Sequence, residues 1–373
     1  MPDPGALQVA LTMDASWSPV PGGTAVAAVE LARGLVAAPG VEAVGVAGRH
    51  RRPPIAELAP PVAVRHHRLP RPLLADAWHR LGRPLVEGLA PEADIVHATS
   101  IIVPATRRRL VVTVHDILFV RHPDWFTRRG VRVMSDGLRR ARDRADLVLC
   151  SSEASADDCR GAGIDADRIR VVPLGVDVRP ATGDAVDGVR RQHGIDRPYV
   201  LWNGTVEPRK NLAGLLRAVA RWDLDGVDLV LVGPPGWRDA FPAQLVEAID
   251  PDRTRVITTG FVPRPELDAL QAGATVTCLP SLAEGFGFPV LEAYAQGTPV
   301  VTSAGTSTAE LVGDAGLTVD PTDPDELADA LHRVVTDREL HARLSAAAPG
   351  RAAEFTWERT VERTVAAYRE LVP

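Results

Sequence analysis

Eleven short runs of Val, Ile and Leu recur along this chain, each separated from the next by a longer stretch, many of them patterned as amphipathic helices. Six come first: "LQVALT" (7–12), "VEAVGVAG" (41–48), "ADIVHA" (93–98), "LVVTVH" (110–115), "DLVLC" (146–150) and "IRVVPLG" (169–175). Five more follow: "YVLWNG" (199–204), "DLVLVG" (228–233), "RVITTG" (255–260), "TVTCLP" (275–280) and "PVVTS" (299–303). Strands that are apolar on both faces must be covered on both faces, which is the condition of a parallel sheet under two helical layers. Helices are expected over 24–38, 128–144, 210–221, 265–273, 289–296 and 324–346. Strand and helix alternating in this way specify an α/β chain with doubly wound sheets.

A length of 373 residues is more than one ordinary core accommodates and suits two domains. The break is expected in the polar, Pro- and Gly-bearing stretch 176–197. The expected division is residues 1–183, residues 184–354, and a closing helix within 355–373 that returns to the first domain. Ligands of open parallel sheets bind beyond the carboxyl ends of the strands. That rule selects Gly22, Gly23, His97, His115, Gly204, Gly233, Gly260 and Glu284, each expected at or just past a strand end. Two such domains facing each other would line one deep cleft from both sides.

The most specific motif is "PSLAEGFGFPVLEAYAQGTPVV" (280–301). Glu284 and Glu292 flank Gly285, Gly287 and Pro289. Proline suits the first helical position, so the pattern predicts a helix starting at Pro289, with Val290, Leu291 and Glu292 in its first turn and Gly297 ending it. Its N-terminus would offer N–H groups and a positive dipole end to an anion. Acidic capping explains one glutamate but not this ordered set.

The stretch "GTVEPRKN" (204–211) holds Lys210, the only lysine among 42 basic residues. It follows a buried run and a glycine turn, which puts Arg209 and Lys210 at an expected helix start. Two cations there would hold a diphosphate without a metal; a solvated pair is the plainer alternative. "SPVPGGTAVAAVELARGL" (18–35) is expected to be a second phosphate-facing turn, with a simple strand–helix turn as the plainer alternative, since it lacks G-x-G-x-x-G. In "VVTVHDILF" (111–119), His115 ends a β-branched run and can hydrogen-bond a sugar hydroxyl.

Several chemistries are excluded. There is no G-x-S-x-G elbow, Walker A loop or H-E-x-x-H pair. "DLD" (223–225) and "DPD" (323–325) fit helix starts or polar connections better than metal sites. Cys150, Cys159 and Cys278 are too few and too dispersed for a disulfide framework and are expected to be buried thiols. No run approaches the ~18 apolar residues of a membrane span, and the N-terminus lacks a signal-peptide pattern. The net charge of −6 is uneven: residues 1–183 carry 24 arginines against 20 acidic side chains. An anionic partner or surface is compatible with that half.

Together these residues resemble the family 4 glycosyltransferases, retaining enzymes of the GT-B fold. The resemblance rests on Gly22–Gly23, "VHD" (114–116), "GTVEPRKN", the Glu284–Glu292 element and the closing helix. "GTVEPRKN" with "VHDILFVRHPDWF" is most similar to the bacterial mannosyltransferase branch. The resemblance implies that Glu292 holds the ribose and Glu284 lies by the anomeric carbon. It implies that backbone at Gly285, Phe286, Gly287 and Phe288 contacts the sugar, and that at Val290 and Leu291 the diphosphate. Arg209 and Lys210 would neutralise that diphosphate as it leaves, Gly23 and Gly204 would let backbone approach it, His115 would touch the donor sugar, and Val262 would carry the base. Thr205 stands where many relatives have arginine, which leaves Arg209 as the second cation.

The implied activity is metal-independent, retaining transfer of a hexose, mannose first, with no cofactor. The donor would be a nucleotide sugar, with GDP-mannose ahead of UDP-, dTDP- and ADP-sugars. The acceptor would be a glycan, a glycolipid or a small hydroxyl compound, and no nucleic acid is involved. The expected location is cytoplasmic, with peripheral contact at the inner membrane face through 65–85 as a further expectation. The alternatives are a nucleotide-sugar epimerase of the same shape and a catalytically idle nucleotide-binding scaffold.

Overall fold

The six runs of the first series, with one further strand, form a seven-stranded parallel sheet in a computed structural model of the chain, which describes residues 5–18, 22–221, 226–236, 241–250, 252 and 255–372. The chain divides into two units, Met1–Gly175 with Trp357–Pro373, and Val176–Thr356.

In the first unit the strands are β1 (Leu7–Thr12), β2 (Val41–Arg49), β3 (Val64–Pro70), β4 (Ile95–Ala98), β5 (Arg109–Val114), β6 (Leu147–Cys150) and β7 (Ile169–Val171). Their order is β3-β2-β1-β4-β5-β6-β7, so the winding reverses between β1 and β4. The strands β4 and β6 are buried along their whole length, as a sheet covered on both faces requires. The closing helix Trp357–Leu371 packs in this unit. Tyr368 hydrogen-bonds His97 Nδ1 at 2.6 Å, Thr360 Oγ1 donates to Pro173 O at 2.8 Å, and Arg170 pairs with Glu370.

The second unit holds β8 (Tyr199–Asn203), β9 (Asp228–Val232), β10 (Val256–Gly260), β11 (Val276–Leu279), β12 (Val300–Ser303) and β13 (Gly316–Val319). Their order is β10-β9-β8-β11-β12-β13, all parallel, and the winding reverses between β8 and β11.

The structure departs from the sequence reading at polar segments. β3 and β13 are edge strands, and an edge strand needs no apolar pattern on both faces. Thus 65–85 begins in strand β3 and continues into the helix Arg71–Leu81. The polar stretch 176–197 contains the helix Gly183–His193, capped by Thr182 and ended by Gly194. The single helix expected over 324–346 is two, Pro324–Thr336 and Arg338–Ala352. Asp337 separates them: its carboxylate accepts from the N–H groups of Glu339 and Leu340, both at 3.0 Å, and so starts a new helix. "DPD" is likewise a cap, with Asp323 Oδ1 accepting from Asp325 and Glu326; "DLD" lies outside the described residues. The three cysteines are free and buried. No helix among the described residues is long and apolar enough to cross a membrane.

Candidate active site

The reversal between β8 and β11 places two loops side by side at the carboxyl ends of adjacent strands. The loop after β8 carries Arg209 and Lys210, and the loop after β11 carries Ser281 and Glu284. Leu282 N–H donates to Arg209 O at 2.7 Å, tying the two loops together through the main chain. Across that tie Lys210 Nζ donates to Glu284 Oε1 at 2.5 Å, and Arg209 Nη1 to Glu284 Oε2 at 2.6 Å. Ser281 Oγ adds a third bond to Oε1 at 2.8 Å. Glu207 holds the other side of Arg209, accepting from its Nε at 2.8 Å.

Arg209 and Lys210 do not start the helix, as the sequence pattern had placed them. They lie in a single 3-10 turn, Pro208–Lys210, and the helix begins two residues after Lys210, at Leu212. Asn211 makes the break: its backbone is left-handed (φ 51°), and its Oδ1 accepts from Gly214 N–H at 3.2 Å. The turn projects Lys210 back over Gly204, where a β-carbon would stand 3.5 Å from Lys210 Cε. Thr205 is half-buried in the same loop.

Lys210 is 7% exposed, so this ammonium is a core residue rather than a solvated one. Burial pulls it below its ordinary value, and Glu284 opposes that shift. Burial would likewise raise the Glu284 carboxyl, but Arg209 and Lys210 overcome it and hold the group at about 2. Glu284 is therefore a fixed anion at neutral pH, with both oxygens occupied by cations. A carboxylate so engaged is a weak nucleophile and a strong electrostatic anchor. With Glu207 included, two cations and two carboxylates balance.

The helix after this loop is Phe288–Ala295, one residue earlier than Pro289 suggested, so Glu292 opens its second turn. Gly287 is its N-cap with φ 108°, a conformation costly for any residue with a β-carbon. Ser307 Oγ donates to Glu284 O and Phe286 O, at 2.8 and 3.1 Å, and so fixes the loop's carbonyls. Val290 N–H is not directed outward as expected: it donates to Gly287 O at 2.9 Å within the turn. Val290 and Leu291 are fully buried, and Phe286 packs edge-on to Phe288 and Phe355. Gly285 is buried beside them. Glu292 is gripped by Arg264, which also bonds Asp268 at 2.7 Å. Arg264 belongs to the helix Arg264–Ala272 that follows the β10 loop, where Val262 is buried. The sequence reading passed over Arg264, two residues beyond Val262, because nothing local tied it to Glu292.

In the first unit Gly22 caps the helix Gly23–Ala37, and both glycines are exposed. His115 lies just beyond β5, half-buried, with Nε2 3.3 Å from Thr99 O. A carbonyl only accepts, so Nε2 carries the proton and Nδ1 is the acceptor. Burial lowers this imidazole's pKa against the influence of Asp116. His97 is not at a strand end: it lies within β4, fully buried between Tyr368 and Thr113, and burial holds it neutral, lowered to about 3. A cluster missed in the sequence occupies the carboxyl ends of β1 and β2. Asp14 accepts from Gly48 N–H and bonds His50, both at 3.0 Å, while Trp17 stacks on His50 with centroids 4.4 Å apart. Their positions just past two strand ends were the available signal. Among the described residues no group of three potential ligands could hold a metal ion.

Two family models cover most of the chain, Glycosyltransferase Family 4 at residues 21–179 and Glycosyl transferases group 1 at residues 187–351. The O-antigen chain mannosyltransferase B of Escherichia coli is 33% identical over 313 residues, 81% of each protein. The MMP alpha-(1->4)-mannosyltransferase of Mycolicibacterium hassiacum is 34% identical over 245 residues, 63% of this chain and 56% of that protein. The chain thus spans little more than half of the latter's length. Among solved structures, Anabaena Alr3699/HepE in complex with UDP and glucose superposes with a TM-score of 0.79 at 22% identity, over 98% of this chain and all of that one. Sucrose-phosphate synthase from Thermosynechococcus elongatus gives 0.78, also at 22%, over 98% and 99%. These likenesses establish the fold as GT-B, with two Rossmann-like sheets.

Proposed function

The chain belongs to the family 4 glycosyltransferases, and from that premise we propose that it transfers a hexose, mannose first, from a nucleotide sugar to a hydroxyl acceptor with retention and without a metal. The observation that carries this reading is the pair Arg209 and Lys210 on Glu284 at the β8–β11 reversal. A buried ammonium and a guanidinium held at a strand-end loop suit a leaving diphosphate, whose charge grows as the glycosidic bond breaks. The bond between the anomeric carbon and the diphosphate oxygen breaks with its electron pair going to that oxygen. The acceptor oxygen bonds the same face of the carbon, and its proton passes to the departing phosphate oxygen. Glu284, with both oxygens engaged, serves in this reading to place the two cations rather than to attack carbon.

His115 contributes its Nδ1 acceptor to a sugar hydroxyl, and Glu292, oriented by Arg264, accepts the ribose hydroxyls. The names of the relatives support mannose as the transferred sugar, and GDP-mannose is the donor we put first. The epimerase and scaffold alternatives are not favoured, since the relatives are named as transferases. Calorimetric titration with GDP, UDP, dTDP and ADP tests the donor, followed by hydrolysis of the corresponding sugar nucleotide. GDP is expected to bind tightest; tighter binding of another nucleotide replaces the donor, and binding of none overturns the proposal.

A further inference from the structure

The first unit has a polar concavity at the amino ends of its central strands, the opposite ends from His115. It lies where the chain enters β4, β5 and β6, and it is closed by the last turn of the helix Arg128–Arg144. Its volume is about 410 Å³. Arg107, Arg108, Arg109, Arg140 and Arg144 line it, together with Thr106, Asp94 and Asp146.

Both aspartates are committed to the fold. Asp94 Oδ2 accepts from Gln8 N–H at 3.0 Å. Asp146 Oδ2 accepts from Leu110 N–H at 2.7 Å, and its Oδ1 pairs with Arg109 at 2.9 Å. The side chains of the remaining four arginines have no carboxylate partner among the described residues, although the Arg107 N–H donates to Glu87 Oε1 at 2.6 Å. The guanidinium groups of Arg108 and Arg140 donate to main-chain carbonyls, Pro91 O at 2.9 Å and Pro104 O at 3.2 Å. Several other arginines of this unit pair with carboxylates, among them Arg121, Arg129, Arg139, Arg160, Arg168 and Arg170. The C-terminal turn of this helix favours a cation such as Arg144, while Arg168 donates to Arg142 O and Ala145 O. Burial lowers the Arg140 guanidinium, and the like charge of Arg144 lowers it further.

Converging cations that repel one another around an open volume need an anion to offset them. Planar guanidinium forks match phosphoryl oxygens in pairs, and several forks favour more than one negative charge. We propose that this concavity binds a phosphoryl anion of two or more charges, at a site separate from the strand-end loops of either sheet. Free pyrophosphate-like ions and the phosphate headgroups of an anionic lipid share that chemistry.

The test is equilibrium dialysis with radiolabelled inorganic pyrophosphate, using full-length Lys210→Gln protein so that the cluster after β8 contributes little. Adding Arg107→Gln and Arg144→Gln should weaken binding by about tenfold or more, the effect of losing two charge-assisted contacts. Both side chains are exposed, so the melting temperature should not move; if it does, Arg107→Gln alone should still weaken binding by about threefold or more. In parallel, the same proteins are sedimented with phosphatidylglycerol and phosphatidylcholine vesicles. Loss of pyrophosphate binding in the arginine variant supports a free anion. Loss confined to phosphatidylglycerol vesicles supports a lipid headgroup. Equal binding of both proteins to both probes, or binding of neither probe, overturns the proposal.

Discussion

Lys210 Nζ and Glu284 Oε1 lie 2.5 Å apart although 74 residues separate them in the chain, and both side chains are at least nine-tenths buried. The contact crosses from the β8 loop to the β11 loop, which are neighbours only because the sheet reverses its winding there. Glu284 thus holds the ammonium and the Arg209 guanidinium in place before any outside anion arrives.

Removing the ammonium should separate catalysis from folding. Lys210→Ala is expected to lower kcat by roughly 10²–10³-fold, the cost of losing one preorganised charge at a developing anion. Nucleoside diphosphate affinity should fall in the same variant, while Arg209 keeps Glu284 paired. Steady-state kinetics and calorimetry measure both, and unchanged turnover would refute the leaving-group role.

Acid should act on this cluster in a defined window. Glu284 is held at about 2, below its ordinary 4.5. A depressed carboxylate stabilises the fold fully above the unfolded value, and that contribution is lost as pH falls from about 4.5 to about 2. Urea unfolding at stepped pH should therefore show a steeper loss across that window for the natural protein than for Glu284→Gln. Identical slopes would mean that the carboxylate is not held by the cations.

The closing helix should depend on one hydroxyl. Tyr368→Phe leaves His97 Nδ1 in the core without its 2.6 Å partner, at a cost of about 1–3 kcal/mol. His97 is held neutral down to about 3, so stability is complete above about 6.5 and declines as pH falls between those values. Thermal melting from pH 7 to pH 4 checks both, and His97→Gln should flatten the profile.

At the helix start after Glu284 a single methyl group should be disruptive. Gly287→Ala combines φ 108° with a β-carbon 2.6 Å from Thr308 Cγ2, an expected loss of about 1–3 kcal/mol. Thr308→Ser removes that methyl and should recover the steric part but not the backbone part. Full recovery in the double variant would show that φ carries no strain.

The sequence by itself determined the architecture. Central strands such as β4, β6, β8 and β11 are covered on both faces, so burial is written into every consecutive residue and their positions can be read directly. It also singled out the loops after β8 and β11, because strand-end position and the glycine, proline and glutamate order are local properties. Edge strands β3 and β13 were not legible, since a half-exposed strand carries a weaker pattern. The pairings were not legible either. That Lys210 meets Glu284, Arg264 meets Glu292 and Asp14 meets His50 follows from which strands lie side by side, and that order is set by packing across tens of residues. Residue types named the participants; only the tertiary structure decided the partners, because an ion pair forms where the backbone brings charges together, whatever their distance along the chain.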